Sequence, residues 1–415
     1  MPTPLPRKLI LGIAIGACAG LAANALAPGA AWLAWLVDWI AQPAGQIFLR
    51  LLYMLVVPLM FSALVVGIGE IDLRHLPRIG ARTLAYTVVV SLIATLIGLA
   101  LVNVLRPGDG LPDAVRAAAH ASAAPAASAT APLSGVALVV AMVPDNPVKA
   151  AANGDMIGVL VFALIFGVGL ALTRTDGAAR LREAIQGLYD VTMRLVDFVL
   201  RLAPFGVGAL IFTMTARLGT GLLRQLGAYV GVVLLGLAIH MFVVYSLSVR
   251  FLGGRSPLAF FRDSRLAIVT AFSTASSSAT LPTALKVAEE SLRLPRHVAR
   301  FVLTAGATMN QNGTALYEGV TVLFLAQLYG VEMGLGRQAL VMLLCVLGGI
   351  GTAGVPAGSL PVLAMILGMF GIPPEGIGLI LGVDRLLDMC RTTLNVTGDL
   401  AAAVYVASAE KEATA

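Results

Sequence analysis

Long apolar stretches separated by short charged segments run along most of the chain. A helix that crosses a bilayer needs about 20 predominantly apolar residues. On this pattern we predict membrane-spanning helices near residues 8–28, 43–68, 82–105, 133–173 (long and broken), 185–215 and 225–251. The first stretch resembles a signal peptide, but apolar stretches continue to the C-terminus, so we interpret it as a retained helix.

After residue 255 the apolar pattern is interrupted by small and polar residues. One interruption lies at 271–285, AFSTASSSATLPTAL, and the other at 348–367, GGIGTAGVPAGSLPVLAMIL. Backbone groups at such breaks would have no partners in lipid, so the breaks must line a protein or water cavity. Paired broken helices indicate a transporter binding site near the middle of the membrane. Two kinked packing helices are the structural alternative.

The last apolar segment places polar groups on one helical face. They are Asp384, Asp388, Arg391, Asn395 and Asp399, which are separated by 4, 3, 4 and 4 positions. Charges inside a membrane segment are costly and usually face a binding cavity, although a structural Asp388–Arg391 ion pair is an alternative. The segment 306–320 adds Asn310, Gln311, Asn312, Thr314 and Glu318. The predicted pocket suits a small zwitterion with an extra acidic group.

Composition and charge support a membrane protein. The 415 residues are 58% hydrophobic and 12% charged, about half the charged fraction of a soluble domain. The net charge of +6 does not indicate a nucleic-acid partner, because the basic residues lie in short loops. Loops 70–81, 174–184 and 250–265 are richer in Lys and Arg than the alternate loops, which predicts a cytoplasmic N-terminus in the inner (plasma) membrane.

Four motifs carry a resemblance to a known family: SSSATLP at 276–282, NQNGT at 310–314, GTAGVP at 351–356 and RTTLNVTGD at 391–399. They resemble the dicarboxylate/amino acid:cation symporter family, which includes the glutamate transporters, and the match runs from about 255 to 405. The resemblance implies an all-α polytopic membrane protein. It would have eight transmembrane helices and two re-entrant helical hairpins with inverted repeats, assembled as a homotrimer in the lipid bilayer.

The same resemblance implies a division of labour along the chain. Segments 1–80 and 133–215 would form the trimerisation scaffold, and 81–132 the third helix with a loose external loop. The transport core would be 225–410, with hairpins at 258–292 and 336–372, and it would move like an elevator.

Carried over to this sequence, the resemblance implies a substrate site for aspartate or glutamate. The α-carboxylate would meet the first hairpin tip and an amide, the amino group a carboxylate, and the side-chain carboxylate a guanidinium. The α-carboxylate would meet Ser277, Ser278 and Asn395. The amino group would meet Asp388, Thr392 and the Val355 carbonyl beside Gly354. The side-chain carboxylate would meet Arg391 and Thr314. A C4-dicarboxylate symporter is the alternative within the transporter class.

The departures from the family pattern fall at the ion sites. A residual sodium site would use Gly306, Asn310, Asn395 and Asp399. At a second site, Asn312 replaces the usual Asp, and Val90 and Ser91 stand where Thr and Ser are usual. In addition, Gln311 replaces the Met of the motif, and Arg385 adds a cation beside Asp384. Glu318 stands where animal glutamate transporters carry a proton. We therefore expect H⁺ coupling, with Na⁺ coupling as the alternative and no other cofactor.

Three alternatives remain at the level of sequence. Glu318 could pair with Arg385, which would spoil it as a proton carrier. A serine hydrolase could be built on residues 276–278, although no G-x-S-x-G elbow is present. A channel is the third. We expect a transporter and not an enzyme.

Overall fold

The computed structural model describes residues 5–27, 30–69, 77–109, 143–153, 156–218, 221–351, 359–373 and 376–414. Within these ranges the chain is helical, without a β-strand. The helices of the first half are α1 (Leu5–Leu26), α2 (Ala31–Leu36), α3 (Gln42–Met54), α4 (Val56–Gly69), α5 (Pro77–Leu105), α6 (Pro147–Asn153), α7 (Met156–Leu172) and α8 (Asp176–Leu218). A π-helical turn, Val37–Ala41, joins α2 to α3.

The second half contains eight further helices. They are α9 (Gly221–Ile239), α10 (Pro257–Thr274), α11 (Ser277–Lys286), α12 (Arg296–Met309), α13 (Asn312–Tyr329), α14 (Leu335–Gly351), α15 (Leu360–Met369) and α16 (Gly376–Thr414). After α9 the helix continues through two π-helical turns, His240–Val244 and Ser248–Leu252, joined by Tyr245–Leu247. A further π turn, Val287–Ser291, extends α11.

Within the described residues, helices form where the long apolar stretches predict them, and the part 133–142 of the predicted stretch 133–173 lies outside those residues. By length and composition, Arg78–Leu105 and Arg224–Leu252 could each cross a membrane, and the shorter helix segments Leu11–Leu26 and Leu335–Gly349 are also apolar. The stretch 43–68 is not one helix, because a turn at Leu55 separates α3 from α4. Large apolar side chains on the outside, including Phe205 and Phe242, are exposed, as expected where lipid or another subunit replaces water.

Two groups of helices pack mainly among themselves. In the first group α8 packs against α1, α3 and α4, and α7 packs against α4. In the second group α13 lies at the centre, against α5, α9, α14 and α16, and is almost wholly buried. Helices α10 and α12 pack along α16. This arrangement surrounds the polar segment 306–320 with protein on every side.

Close helix approach depends on glycine at two crossings. A side chain at Gly16 would meet the backbone of Gly208, so α1 and α8 touch through their backbones. A Cβ at Gly313 would lie 2.9 Å from the Arg391 carbonyl oxygen, so α13 can approach α16 only with glycine there. The second crossing brings the start of α13 to the polar face of α16.

Candidate functional site

The polar face of α16 lies inside the protein. The five positions spaced by 4, 3, 4 and 4 are all buried: Asp384, Asp388, Arg391, Asn395 and Asp399. Because residues three and four apart share a helical face, their side chains form one continuous row. The row faces the break between α12 and α13, where residues 310 and 311 leave helical geometry.

Arg391 is the centre of a buried ion-pair cluster. Its Nη2 lies 2.8 Å and its Nε 3.2 Å from Asp388 Oδ1. Its Nη1 lies 3.2 Å from Asp384 Oδ1, without hydrogen-bond geometry. The guanidinium also stacks 4.0 Å from the centroid of the Tyr317 ring, a cation–π contact that favours a desolvated cation.

Two further contacts complete this cluster. The Tyr317 hydroxyl donates to Asp384 Oδ1 at 2.9 Å. Among the described residues, Arg385 forms its ion pair with Asp388, whose Oδ2 lies 3.8 Å from Arg385 Nη1. The sequence placed Arg385 beside Asp384, but successive residues on a helix diverge by about 100°, whereas positions i and i+3 share a face. Arg385 therefore contacts Asp388.

Asn395 joins α16 to the start of α13. Its Oδ1 accepts a hydrogen bond from the Gly313 backbone N–H at 2.7 Å, and its Nδ2 donates to Gln311 Oε1 at 2.5 Å. The first N–H groups of a helix have no partner within the helix, so Asn395 supplies one for α13. Thr314 is 3.3 Å from both Asn395 Nδ2 and Gln311 Oε1. These side chains form one connected amide and hydroxyl network.

Three of the four residues of the expected sodium site, Gly306, Asn310 and Asp399, also come together, whereas the described hydrogen bonds of Asn395 go to the start of α13. Asp399 Oδ1 accepts from Asn310 Nδ2 at 2.9 Å, and a side chain at Gly306 would collide with the Asp399 carboxylate. Asn310 Oδ1 is buried without a hydrogen-bond partner. Hard cations prefer such carboxylate and amide oxygens, so these side chains fit a small cation. Among the described residues, no three His, Cys, Asp or Glu side chains cluster as a metal site.

Asn312 belongs to a separate hydrogen-bond network. Its Oδ1 accepts from Ser91 Oγ at 2.5 Å, and its Nδ2 donates to the Tyr245 hydroxyl at 3.0 Å. The Tyr245 hydroxyl in turn donates to the Leu394 carbonyl at 3.2 Å. Val90 is buried and apolar. Both halves of the Asn312 amide are thus occupied by neutral partners.

Glu318 is buried on α13, and neither of its carboxyl oxygens has a hydrogen-bond partner. It faces α14, where a Cβ at Gly348 would lie 3.6 Å from Glu318 Oε2. The alternative pairing of Glu318 with Arg385 is not observed, because Arg385 pairs with Asp388. An unpaired carboxylate costs far more to bury than a neutral carboxyl group.

The first interrupted segment breaks at its serine-rich part. Helix α10 ends at Thr274 and is followed by Ala275, which has a left-handed φ of 50°. The Ser276 hydroxyl accepts from the Ala279 backbone N–H at 3.2 Å. Ser277 at the start of α11 is buried, whereas Ser278 is exposed. Helix α11 packs against α16, where Thr392 is buried. The second tip, with Gly354 and Val355, lies outside the described residues.

Two tyrosines of the site were missed by the sequence reasoning. Tyr317 holds Asp384 and stacks on Arg391, and Tyr245 holds Asn312. A signal for Tyr317 was present, since it precedes Glu318 inside a polar segment, and a buried tyrosine hydroxyl needs a partner. Nothing in the local sequence distinguishes Tyr245 from a tyrosine facing lipid.

Known proteins are similar in sequence to this chain over most of its length. The proton/glutamate-aspartate symporter of Escherichia coli K12 is 34% identical over 380 residues, 91% of this chain and 86% of the relative. The proton/sodium-glutamate symport protein of Bacillus subtilis is 32% identical over 373 residues, 89% of this chain and 86% of the relative. Human excitatory amino acid transporter 3 is 30% identical over 405 residues, covering 86% and 76%.

A family profile gives the same result for nearly the whole chain. The sodium:dicarboxylate symporter family matches residues 5–409, which include every described contact among the candidate site residues. Members of the family are membrane proteins that transport small molecules, and they are not enzymes, so the hydrolase alternative is excluded. The chain belongs to the sodium:dicarboxylate symporter family.

Proposed function

We propose that this protein is a secondary active symporter that imports glutamate or aspartate. The observation that carries the proposal is Arg391, a guanidinium buried beside Asp388 and one helical turn from Asn395 of the amide network. A planar guanidinium binds a carboxylate through two parallel hydrogen bonds. The relatives from Escherichia coli and Bacillus subtilis are named as glutamate or glutamate-aspartate symporters.

The three charged groups of an acidic amino acid have partners here. Arg391 would leave the aspartates to bind the side-chain carboxylate, with Thr314 beside it. Asp388 and Thr392 would take the ammonium group. The α-carboxylate would meet Asn395 and the start of α11 at Ser277 and Ser278, where free backbone N–H groups favour an anion. Val355 and Gly354 would close the site from the second hairpin.

Asp388 separates this proposal from a C4-dicarboxylate symporter. A dicarboxylate has no ammonium group, so binding it would leave Asp388 facing a second anion. Like charges in contact disfavour the wrong ligand by several kcal/mol. We therefore expect succinate to compete poorly with aspartate.

We propose proton coupling, because Glu318 can be buried at low cost only when it carries a proton. Both of its oxygens lack partners, and its neighbour on α14 is Gly348. The Asn312 network lacks the carboxylate that would offset a sodium charge. The oxygens around Asp399 and Asn310 keep one sodium ion as the alternative coupling ion.

We further propose a homotrimer whose transport core, α5 and α9–α16, moves against α1–α4, α7 and α8. Support for assembly comes from α8, whose outer face carries a seven-residue repeat of exposed apolar side chains. They are Leu181, Leu188, Leu195 and Leu202, with Val191, Phe198 and Phe205 three residues after the last three of these leucines. Such a repeat favours packing between parallel helices of neighbouring copies. Crosslinking through a single cysteine at Leu195 would test it.

Reconstitution into liposomes tests the proposed function directly. Radiolabelled aspartate uptake is measured with an inward proton gradient in sodium-free buffer, and separately with an inward sodium gradient at equal pH. We expect accumulation above equilibrium with the proton gradient. Strict dependence on sodium would replace the proton by the sodium alternative, and uptake of succinate but not aspartate would contradict the substrate.

A further inference from the structure

Arg385 belongs to the ion-pair cluster but lies outside the buried face of α16. Its side chain is 30% exposed, whereas those of Asp388 and Arg391 are 8% and 2% exposed. Its Nη1 lies 3.8 Å from Asp388 Oδ2, and Arg391 binds the other oxygen, Oδ1. One carboxylate is therefore held between two guanidinium groups. The proposed roles of Asp388 and Arg391 leave Arg385 without a substrate contact.

The cluster is electrically balanced without a ligand. It contains two carboxylates, Asp384 and Asp388, and two guanidinium groups, Arg385 and Arg391, and the ion pairs described for these four side chains all lie within the set. Without Arg385, the two aspartates would share one guanidinium. The cluster would then carry an uncompensated negative charge whenever no substrate ammonium is bound.

Arg385 also lies near a boundary between the two groups of helices. On the preceding turn of α16, a Cβ at Gly382 would lie 3.0 Å from Ile211 of α8. Leu386, next to Arg385, is 49% exposed. If the core moves past α8, this part of α16 passes apolar protein, where an uncompensated charge is costly.

We propose that Arg385 is the built-in counter-cation of the substrate-free carrier. This inference rests on the proposed symport function and adds a step that it leaves open, the return of the empty core. When substrate is bound, its ammonium group occupies Asp388 and Arg385 turns toward the exposed side. After release, Arg385 returns to Asp388 Oδ2, so the pocket crosses the membrane balanced and needs no bound cation.

Exchange and net uptake separate this role from a structural one. Exchange of internal for external aspartate uses only the loaded carrier, whereas net uptake requires the empty carrier to return. Arg385→Gln should lower net uptake at least about tenfold, since a central membrane charge costs well over 1.4 kcal/mol. It should leave exchange within about twofold. Arg385→Lys keeps the charge and should retain both activities.

A charge-balanced double variant gives the sharpest control. Asp384→Asn combined with Arg385→Gln removes one negative and one positive charge, and the amide introduced at position 384 can still accept a hydrogen bond from the Tyr317 hydroxyl. The ratio of net uptake to exchange should recover relative to Arg385→Gln alone, and the single Asp384→Asn variant completes the cycle. Arg385→Met serves as a second neutral variant if the Gln variant does not accumulate in the membrane.

The outcomes distinguish the inference from the function beneath it. A parent protein that neither exchanges nor accumulates aspartate contradicts the proposed function. A working parent whose Arg385→Gln variant keeps the parental ratio of net uptake to exchange overturns the counter-cation role. Failure of the double variant to raise that ratio also overturns it, because loss of the side chain, and not of its charge, would then be responsible.

Discussion

Helices meet in two different ways in this protein. At the crossing of α1 and α8, Gly16 lies against the backbone of Gly208, and the contact is made by surfaces without ionisable groups. At the crossing of α13 and α16, the contact is made through hydrogen bonds, such as that from the Gly313 N–H to Asn395. The first contact depends on the close fit of two backbones, and the second depends on hydrogen-bond partners.

The difference matters for which contacts can be exchanged. Backbone packing at small residues is lost when a side chain is added, and no ligand can substitute for it. A carboxylate or amide can exchange one partner for another when an ion or substrate arrives. The polar crossing of α13 and α16 therefore combines structural contacts with groups that can bind, whereas the crossing of α1 and α8 only holds helices together. Mutation at the crossing of α1 and α8 should lower stability and leave substrate affinity unchanged, whereas mutation at the polar crossing should change binding.

Arg391→Thr should have the largest effect. Loss of a charge-assisted bidentate partner costs about 2–5 kcal/mol, so acidic amino-acid binding should fall by at least about 30-fold. Neutral amino acids should bind at least as well as before. The measurement is competition against labelled aspartate. Arg217→Thr is the control, since Arg217 pairs with Asp38 at the exposed end of α8; unchanged aspartate affinity in Arg391→Thr would reject the assignment.

Glu318→Gln should remove the response to a proton gradient while keeping substrate exchange. The amide is nearly isosteric with the protonated carboxyl group and cannot release a proton. Uptake by the parent should rise when the outside is made more acidic than the inside, and uptake by the variant should not. Glu290→Gln, at an exposed position beside Lys286, is the control. Proton-driven uptake that survives in Glu318→Gln would place the proton on another group.

Gly16→Leu tests the other kind of crossing. The added side chain would collide with the backbone of α8, and such overpacking costs about 1–3 kcal/mol. The midpoint of thermal unfolding in detergent should fall, while the folded fraction keeps its aspartate affinity. Gly187→Leu, where nothing lies within 4 Å of the added Cβ, should be nearly neutral. A changed affinity without lower stability would erase the contrast between the crossings.

Asn312→Asp should have the smallest effect. The carboxylate would keep the Ser91 contact but lose the hydrogen bond donated to Tyr245. It would add the negative oxygen that a sodium ion prefers. We expect sodium to improve apparent aspartate affinity a few-fold in the variant and not in the parent. Asn103→Asp, an exposed position on α5, controls for added charge; equal sodium responses in all three proteins would contradict the interpretation of Asn312.

Periodicity alone predicted the row along α16, because helix geometry relates spacing to direction, and all five side chains are buried together. It could not predict which groups would pair. Arg385 was expected beside Asp384 and instead contacts Asp388, while Tyr245 reaches Asn312 from 67 positions away. Contacts between distant segments depend on packing, which local sequence does not encode. The break at Leu55 was missed although a local signal was present, since Pro58 lacks the N–H that would bond to the Met54 carbonyl four residues earlier in a continuous helix.

The length of α8 has a practical consequence. Its 43 residues extend for roughly 65 Å at about 1.5 Å per residue, more than twice the hydrocarbon thickness of about 30 Å. Even a strongly tilted helix of this length must project from the bilayer, and its first turns carry exposed Arg180, Arg182 and Glu183. This projecting part is a rigid helical segment outside the bilayer. A fluorophore or spin label fixed there would give a stationary reference against which any displacement of α16 could be measured as a distance.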